Sequence, residues 1–552
     1  MASRPPRKFW AGRRSRSAAD GETILDALAR DGFPNLVRSV RYHRPRGPFC
    51  GTGDCTGCLV RLNGRVNVRA CRRVVEEGDR VGDGNAWPSP SFDLLGVLDF
   101  LFPDGVDTLR GFRRPAWARG LYHAVNRRLA GYGAPPDPAP TGPAETPAER
   151  LQTEVAIVGA GTAGRAAAAA ARAHGRSVVL IDRRTDVPPE PGVELRAGTT
   201  ATFLSPPAGN GVWTLLSFRE PEQGVLVRAR SVVVATGSYD GPLLFGGNDR
   251  PGVVAAELAL RWARDGRRSP LRGVLVVGGG RRASAVVERL GSTVVAVTAP
   301  ADIGPEVTRA ASERKIPLYP RSLVVRARGH GRVRAVELRG RSGGPRFSVR
   351  CDGVVLAHRR LPVAQLAFQA GAERAWNPSL EAYVPRTGAD GVTTVTGLYV
   401  AGSAAGGAPD GSAESGTRAG ASAAASASPA GAAATSPAAA PGPLAGYYRE
   451  LLRERRAGKW VACSCEDVLL SEVERASARG YAGIEVVKRY TGLGTGLCQG
   501  RYCLPDALLL LSILEGRPPS EVGFITQRPP AVPTPLGALA DLGDSISSEV
   551  IP

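Results

Sequence analysis

TEVAIVGAGTAGRAAAAAARAHGRSVVLIDRR, residues 153–184, decides what the largest part of this chain is. Four consecutive apolar residues, Val155 to Val158, read as a buried strand, and Gly159, Gly161 and Gly164 follow at once in the spacing G-x-G-x-x-G. An alanine-rich helix comes next, then a second strand, SVVLID, ending in Asp182. A lone glycine motif carries little weight, but strand, glycine loop, helix, strand and acid in this order specify a Rossmann-type dinucleotide site. Glycines let a pyrophosphate approach the backbone, the helix N-terminus supplies amide donors, and Asp182 is placed to take a ribose hydroxyl.

Outward from this stretch, 552 residues predict three to four domains, each able to bury its own core. No run of 18 apolar residues occurs, and the basic start, MASRPPRKFWAGRRSRSAADG, has no apolar segment behind it. Arg13 and Arg14 are therefore not read as an export signal, and a cytoplasmic protein without a membrane span is expected. The formal charge of +20 is carried almost wholly by arginine. Because aromatics are sparse, it reads as a solvated basic surface and not as a nucleic-acid stripe.

Nine cysteines in a cytosolic chain argue against disulfides. Eight fall into two groups of four, leaving Cys351 over. Cys50, Cys55, Cys58 and Cys71 form C-x4-C-x2-C-x12-C, the plant-type spacing of a [2Fe–2S] centre. Asn63-Gly64 predicts a two-residue hairpin pairing 62 with 65 and so on to 56 with 71, which delivers Cys71 beside Cys55 and Cys58. Zinc is the alternative, although the spacing lacks paired C-x2-C knuckles. GETILDALAR, 21–30, is a short helix of the same domain, which closes near Gly84. The second group is Cys463 and Cys465 (C-x-C) with Cys498 and Cys503 (C-x4-C), separated by a helical stretch ending at Gly480. Its spacing alone leaves [2Fe–2S] and zinc both open.

A second strand–glycine–helix unit, GVLVVGGGRRASAVVERLGSTVVAVTAP (273–300), carries no acid at its second strand end. It is either a retained scaffold or an NAD(P) site in which Arg281 and Arg282 take a 2′-phosphate. No C-x2-C lies between 150 and 450, so a thioredoxin-reductase mechanism has no dithiol to use. VVVATGSYD, with Thr236 and Gly237, and TGLYVAGSAAG, with Gly402 and Ser403, resemble the ATG and T-x5-AGD segments of two-dinucleotide-domain flavoproteins. That resemblance favours FAD over NAD in the first site, with Ser403 standing where the pattern has aspartate.

The order of parts resembles the alpha subunits of heterotetrameric sarcosine oxidase, opine oxidase, hydrogen cyanide synthase and D-hydroxyproline (proline) dehydrogenase. The matching stretches are RYHRPRG (41–47), NAWPSPSFDLL (85–95), FGGNDRPGVV (245–254), CEDV (465–468), KRYTGLGTGLCQGRYC (488–503) and RPPAVPTPLGALA (528–540). The resemblance implies an α/β and α+β multidomain chain. Its parts are a β-grasp ferredoxin-like domain (1–84), a linker segment (85–150), an FAD-binding Rossmann-type domain (151–266 and 386–420), a second, NAD-type domain (267–385), a low-complexity linker (421–455) and a small helical domain like bacterioferritin-associated ferredoxin with a C-terminal tail (456–552). The last assignment makes the second cysteine group [2Fe–2S].

The family further implies that an amine or imino acid of the sarcosine, proline, opine or glycine type is oxidised at a beta subunit resembling D-amino-acid oxidase. Electrons then pass through this chain, by FAD, two clusters and a flavin shared with the partner, to a quinone or electron carrier. No catalytic base is assigned here; His43, beside the cluster loop, is read as orienting or packing. Sarcosine oxidase alpha subunits generally lack the N-terminal cysteines, so this chain stands closer to the dehydrogenases. Because it stops at Pro552, where those relatives continue into a folate domain, folate capture is not expected. The alternative is a stand-alone NAD(P)H-dependent flavin and iron–sulfur reductase.

Overall fold

The computed structural model describes the chain apart from residues 1–4, 31, 33, 83–84, 106–119, 121–146, 208–210, 220–222, 265–268, 426–441, 455–458, 541 and 543–552. Most of the expected 85–150 linker, the run 426–441 and the extreme C-terminus lie outside the described residues. The chain divides into two compact units: 1–139 with 240–359 and 443–524, and 140–239 with 360–442 and 525–552. Among the described residues no helix is long and apolar enough to cross a membrane.

The second unit is built on a seven-stranded sheet. Strands Glu194–Ala197, Val178–Asp182, Glu149–Val158 and Gln223–Val234 run parallel, Leu398–Val400 pairs parallel to the last, and Trp213–Arg219 and Thr199–Ser205 add an antiparallel flank. The run of alanines after the glycine loop has a packing cause. Helix Thr162–Ala173 lies against helix Ser412–Ala425 so closely that a Cβ at Gly416 would stand 2.1 Å from the Ala163 carbonyl oxygen, and one at Gly420 2.2 Å from that of Ala167. Only small side chains permit such a crossing.

The first unit contains three layers of different design. Strands Arg14–Ala18, Arg7–Ala11, Arg80–Gly82, Leu59–Leu62 and Arg65–Arg69 form a mixed sheet in that order, covered by helix Ile24–Ala29, whose N-terminus is capped by Thr23. Strands Val253–Ala255, Gly353–Leu356, Val274–Val277, Val294–Thr298 and Leu318–Tyr319 form an all-parallel sheet. The C-terminal helices Leu470–Ala478, Ile484–Thr491 and Leu504–Glu515 complete it. In the last of these Leu504 and every residue from Asp506 to Leu511 are buried, as befits a helix apolar on nearly every side.

Several expected boundaries differ. Residues 240–264 belong with the second dinucleotide fold, because the three-residue strand Val253–Ala255, too short to show periodicity, pairs with Gly353–Leu356. Residues 360–385 fall in the second unit. The expected linker 421–455 is structured where described: Ala425 ends a helix, and Leu444–Arg453 forms another whose Leu444, Tyr447, Tyr448 and Leu451 are buried. Its amphipathic pattern is hidden in sequence by the Ala/Pro run before it. The C-terminal tail also returns to the second unit, where Ala531 N–H donates to the Thr202 carbonyl at 2.7 Å and Leu542 packs with Leu216 and Leu226.

The Asn63-Gly64 hairpin forms, with Leu62 opposite Arg65, but its register shifts by one residue before Val60, which faces Val68. Asn67, at φ 62°, is the extra residue of the bulge. Cys58 therefore lies opposite Ala70, whose N–H its carbonyl accepts at 3.0 Å, and not opposite Arg69.

Candidate functional site

Three constructions carry the candidate chemistry, and the first is the glycine loop of the second unit. A Cβ at Gly164 would stand 1.7 Å from the Gly159 carbonyl oxygen, and one at Gly159, itself at φ 104°, 2.4 Å from that of Ala235. These two glycines close the loop onto the sheet. Gly161 differs: nothing lies within 4 Å of the place a Cβ would occupy, and as N-cap it offers no side chain to the amides of helix Thr162–Ala173. The loop thus keeps an open cradle lined by unspent backbone donors, the fit a pyrophosphate requires.

Asp182 accepts from Ala160 N–H at 2.6 Å and from Arg184 N–H at 2.8 Å, which pins the glycine loop to the end of the second strand. The other expected contacts converge on the same edge. Thr236 donates its hydroxyl to the Val363 carbonyl, and Gly237 accepts from Val363 N–H at 2.9 Å. Thr236 is thereby spent on holding the backbone. Gly402 donates to Ser415 Oγ at 3.0 Å, and a Cβ there would meet the Cβ of Ala163 at 2.8 Å, so Gly402 sits against the start of the first helix, with Ser403 next to it in the chain.

The second glycine loop follows the same plan with a different filling. Gly304 N–H donates to the Gly279 carbonyl at 2.8 Å, laying the segment after strand Val294–Thr298 across the loop. Arg282 grips buried Asp240 at 2.9 and 3.0 Å and reaches Glu257 at 2.7 Å. The acid missing from the strand end occurs four residues later as Asp302, exposed and paired with Arg321 at 2.6 Å.

Both four-cysteine groups lie in the first unit, with every thiol buried. In the N-terminal group the thiols of Cys55 and Cys71 adjoin Cys50 and that of Cys58 adjoins Cys71, while Cys50 Sγ accepts from the amides of Thr52 and Cys55 at 3.4 Å each. Burial works to raise the Cys50 thiol, but the bonds it accepts outweigh burial and hold it well below the thiol range. In the C-terminal group Cys463 hydrogen-bonds to Cys503 and Cys465 to Cys498. The bond from Cys503, aided by the amides of Gly494 and Glu466, brings the Cys463 thiol down to about 7. Among the described residues no three His, Cys, Asp or Glu side chains form a group that could hold one metal ion. Four buried thiols in each group are the donor set that a [2Fe–2S] centre takes.

An ionic staple that residue patterns did not reveal holds these parts together. Arg44 grips Asp249 at 2.8 and 2.7 Å; Arg46 bonds to Asp249 at 2.6 Å and also to Asp467. The amides of Arg41 and Tyr42 donate to Asp467 at 3.2 and 3.0 Å. Burial acts to raise the Asp249 carboxyl, yet Arg44 and Arg46 outweigh it and keep it below the usual carboxylate range. Three of the stretches that carried the resemblance, RYHRPRG, FGGNDRPGVV and CEDV, are thus partners in one buried network. His43 tethers a fourth, NAWPSPSFDLL, through Nδ1 to Asp93 Oδ2 at 2.8 Å.

Comparison with known proteins assigns these parts. A 2Fe-2S iron-sulfur cluster binding domain matches residues 13–85, an NAD(P)-binding Rossmann-like domain 157–210, and the sarcosine oxidase A3 domain 457–542. The sarcosine oxidase alpha subunit of Rhizobium meliloti (strain 1021) is 27% identical over 97% of this chain and 57% of its own length. The chain is similar to sarcosine oxidase alpha subunits over nearly its whole length. It spans little more than half of that relative, whereas it covers 92% of an opine oxidase subunit from Agrobacterium tumefaciens (strain Ach5), 26% identical over 70% of this chain. L-proline dehydrogenase from P. horikoshii has the same fold, with a TM-score of 0.67, 19% identity and 98% coverage of both chains. The chain is a mixed α/β multidomain protein, and each cysteine group lies inside a separately matched segment.

Proposed function

We propose that this chain is the electron-transfer subunit of an FAD-dependent oxidoreductase acting on CH–NH or CH–NH2 groups, with substrate oxidised at a partner flavoprotein of the D-amino-acid-oxidase type. The observation that carries this reading is the presence, on one chain, of an open dinucleotide cradle and two buried four-thiol sites. Bound FAD would supply hydride-accepting chemistry, and a [2Fe–2S] centre in each four-thiol site would supply one-electron storage.

The chain's own residues divide that work. Backbone donors at Gly161 and the following helix turn receive the pyrophosphate, while Asp182 fixes the loop and presents its remaining acceptor capacity to the ribose. Gly402, packed against Ala163, and its chain neighbour Ser403 are the further cofactor contacts in this reading. Cys50, Cys55, Cys58 and Cys71 hold one cluster; Cys463, Cys465, Cys498 and Cys503 hold the other. No general base is assigned to this chain, in keeping with chemistry performed on the partner. The NAD(P)H-driven alternative is disfavoured by the commitment of Arg282 to Asp240 and Glu257.

Anaerobic purification with metal, sulfide and flavin analysis tests the reading. About four iron and four sulfide per chain, with extractable FAD, are expected. Stoichiometric zinc, or a folded chain free of both iron and flavin, overturns it. Amine dehydrogenation at a substantial rate by the isolated chain would remove the need for a partner.

A further inference from the structure

The two C-x4-C loops are joined side chain to side chain. Asp54, within the Cys50–Cys55 loop, pairs with Arg501, within the Cys498–Cys503 loop, at 2.5 Å, and their side chains are 4% and 5% exposed. Thr52 braces Asp54 by donating its hydroxyl to Oδ2 at 2.8 Å. Phe49, next to Cys50, meets Tyr502, next to Cys503, edge to face with ring centroids 5.4 Å apart. Thr56, next to Cys55, points its hydroxyl at the sulfur of Cys465 at 3.8 Å. Each contact between the loops runs from one ligand set to the other, and the last reaches a ligand sulfur itself.

A fully buried ion pair contributes little net stability, since desolvation offsets its attraction; what it supplies is fixed geometry. Here the fixed quantity is the separation of two redox sites. Adding an electron to one centre adds a negative charge in a region screened far less than water. At an effective dielectric of about 20, two unit charges within about 12 Å of one another oppose each other by roughly tenfold or more in an equilibrium constant. A hydrogen bond to a ligand sulfur favours the more negative, reduced form and so raises that centre's potential.

We propose that the two four-thiol sites act as one coupled pair, with the Asp54–Arg501 ion pair and Thr56 as positioning residues that fix their contact and tune the C-terminal centre. This rests on both sites holding [2Fe–2S] as proposed above, each gaining one electron when reduced.

Low-temperature EPR of the anaerobic full-length chain, titrated with dithionite, tests it. In the fully reduced protein the two signals should broaden or split and relax faster than in the half-reduced protein, and the second electron should enter about tenfold less readily, 59 mV for a one-electron step. Thr56→Val should lower the potential of the C-terminal centre by a similar factor and leave the N-terminal one unmoved, with Thr56→Ser restoring it. The neutral double variant Asp54→Asn, Arg501→Gln should keep its iron but lose relaxation enhancement. Two additive, independently relaxing signals, with no effect of Thr56→Val, overturn the coupling while leaving the cluster assignment standing. A folded preparation with iron in neither site overturns the assignment and the coupling with it.

Discussion

The two glycine loops of this chain share strand, turn and helix, and both leave open space at the glycine before the helix, yet the groups laid against them differ. In the first, Gly161 faces open space and Asp182 ties down the loop. In the second, Gly280 also faces open space, but Gly304 bonds across Gly279, and Arg282 is held by Asp240 and Glu257. The glycine pattern specifies a backbone shape. Whether a nucleotide occupies it depends on which side chains the surrounding chain has already committed.

The largest effect belongs to the glycine that closes the first loop. Gly164→Val places a Cβ 1.7 Å from a backbone oxygen, which no rotamer can relieve. A loss on the order of 3 kcal/mol or more is expected, read as a lower denaturant midpoint together with flavin release. A variant with unchanged midpoint would mean that the helix start can shift freely, contrary to its packing.

Next comes the filling of the second loop. Arg282→Gln leaves Asp240, 3% exposed, without its bidentate partner. Breaking such a pair costs about 3 kcal/mol by removal of one charge. Denaturant unfolding should show that loss with FAD content per folded chain unchanged. Flavin loss at unaltered stability would instead place Arg282 in cofactor binding and erase the distinction between the loops.

How far these differences were legible beforehand varies by feature. The first loop, the Asn63-Gly64 turn and both cysteine groups are local patterns, each spanning tens of residues at most, and local sterics write them plainly. The bulge at Asn67 was not legible, because alternation in a short hairpin tolerates either register. Nor was the staple, whose partners Arg46 and Asp249 are 203 residues apart and Arg46 and Asp467 421. Charged residues in loops carry no periodicity that would mark them as buried partners. The same limit applies to Arg282, whose ion pairs with Asp240 and Glu257 no local pattern marks.

A smaller effect separates a ligand cradle from a structural turn. Gly161→Ala adds a methyl group where no protein atom lies within 4 Å, so the fold should tolerate it. If the cradle holds the pyrophosphate of FAD, the methyl intrudes on that approach, and flavin affinity should fall about tenfold, close to 1.4 kcal/mol. Equilibrium titration of the flavin-stripped chain with FAD measures it. Undiminished affinity at intact stability would move the cofactor away from this loop.

Gly280→Ala is the counterpart and should do least. Its Cβ also meets nothing within 4 Å, and Gly280 is not among the residues with positive φ, so neither packing nor backbone geometry resists the change. Stability should stay within about 0.5 kcal/mol, as for changes that disturb no packed or hydrogen-bonded group, and FAD content should not move. The informative measurement is therefore NADPH or NADH binding by wild type and variant, followed calorimetrically. With the loop crossed by Gly304 and Arg282 turned toward Asp240, neither protein should take up nicotinamide nucleotide measurably. Tight binding to wild type that the added methyl abolishes would show that the second loop is a nucleotide site after all, one that uses its amides without help from Arg282.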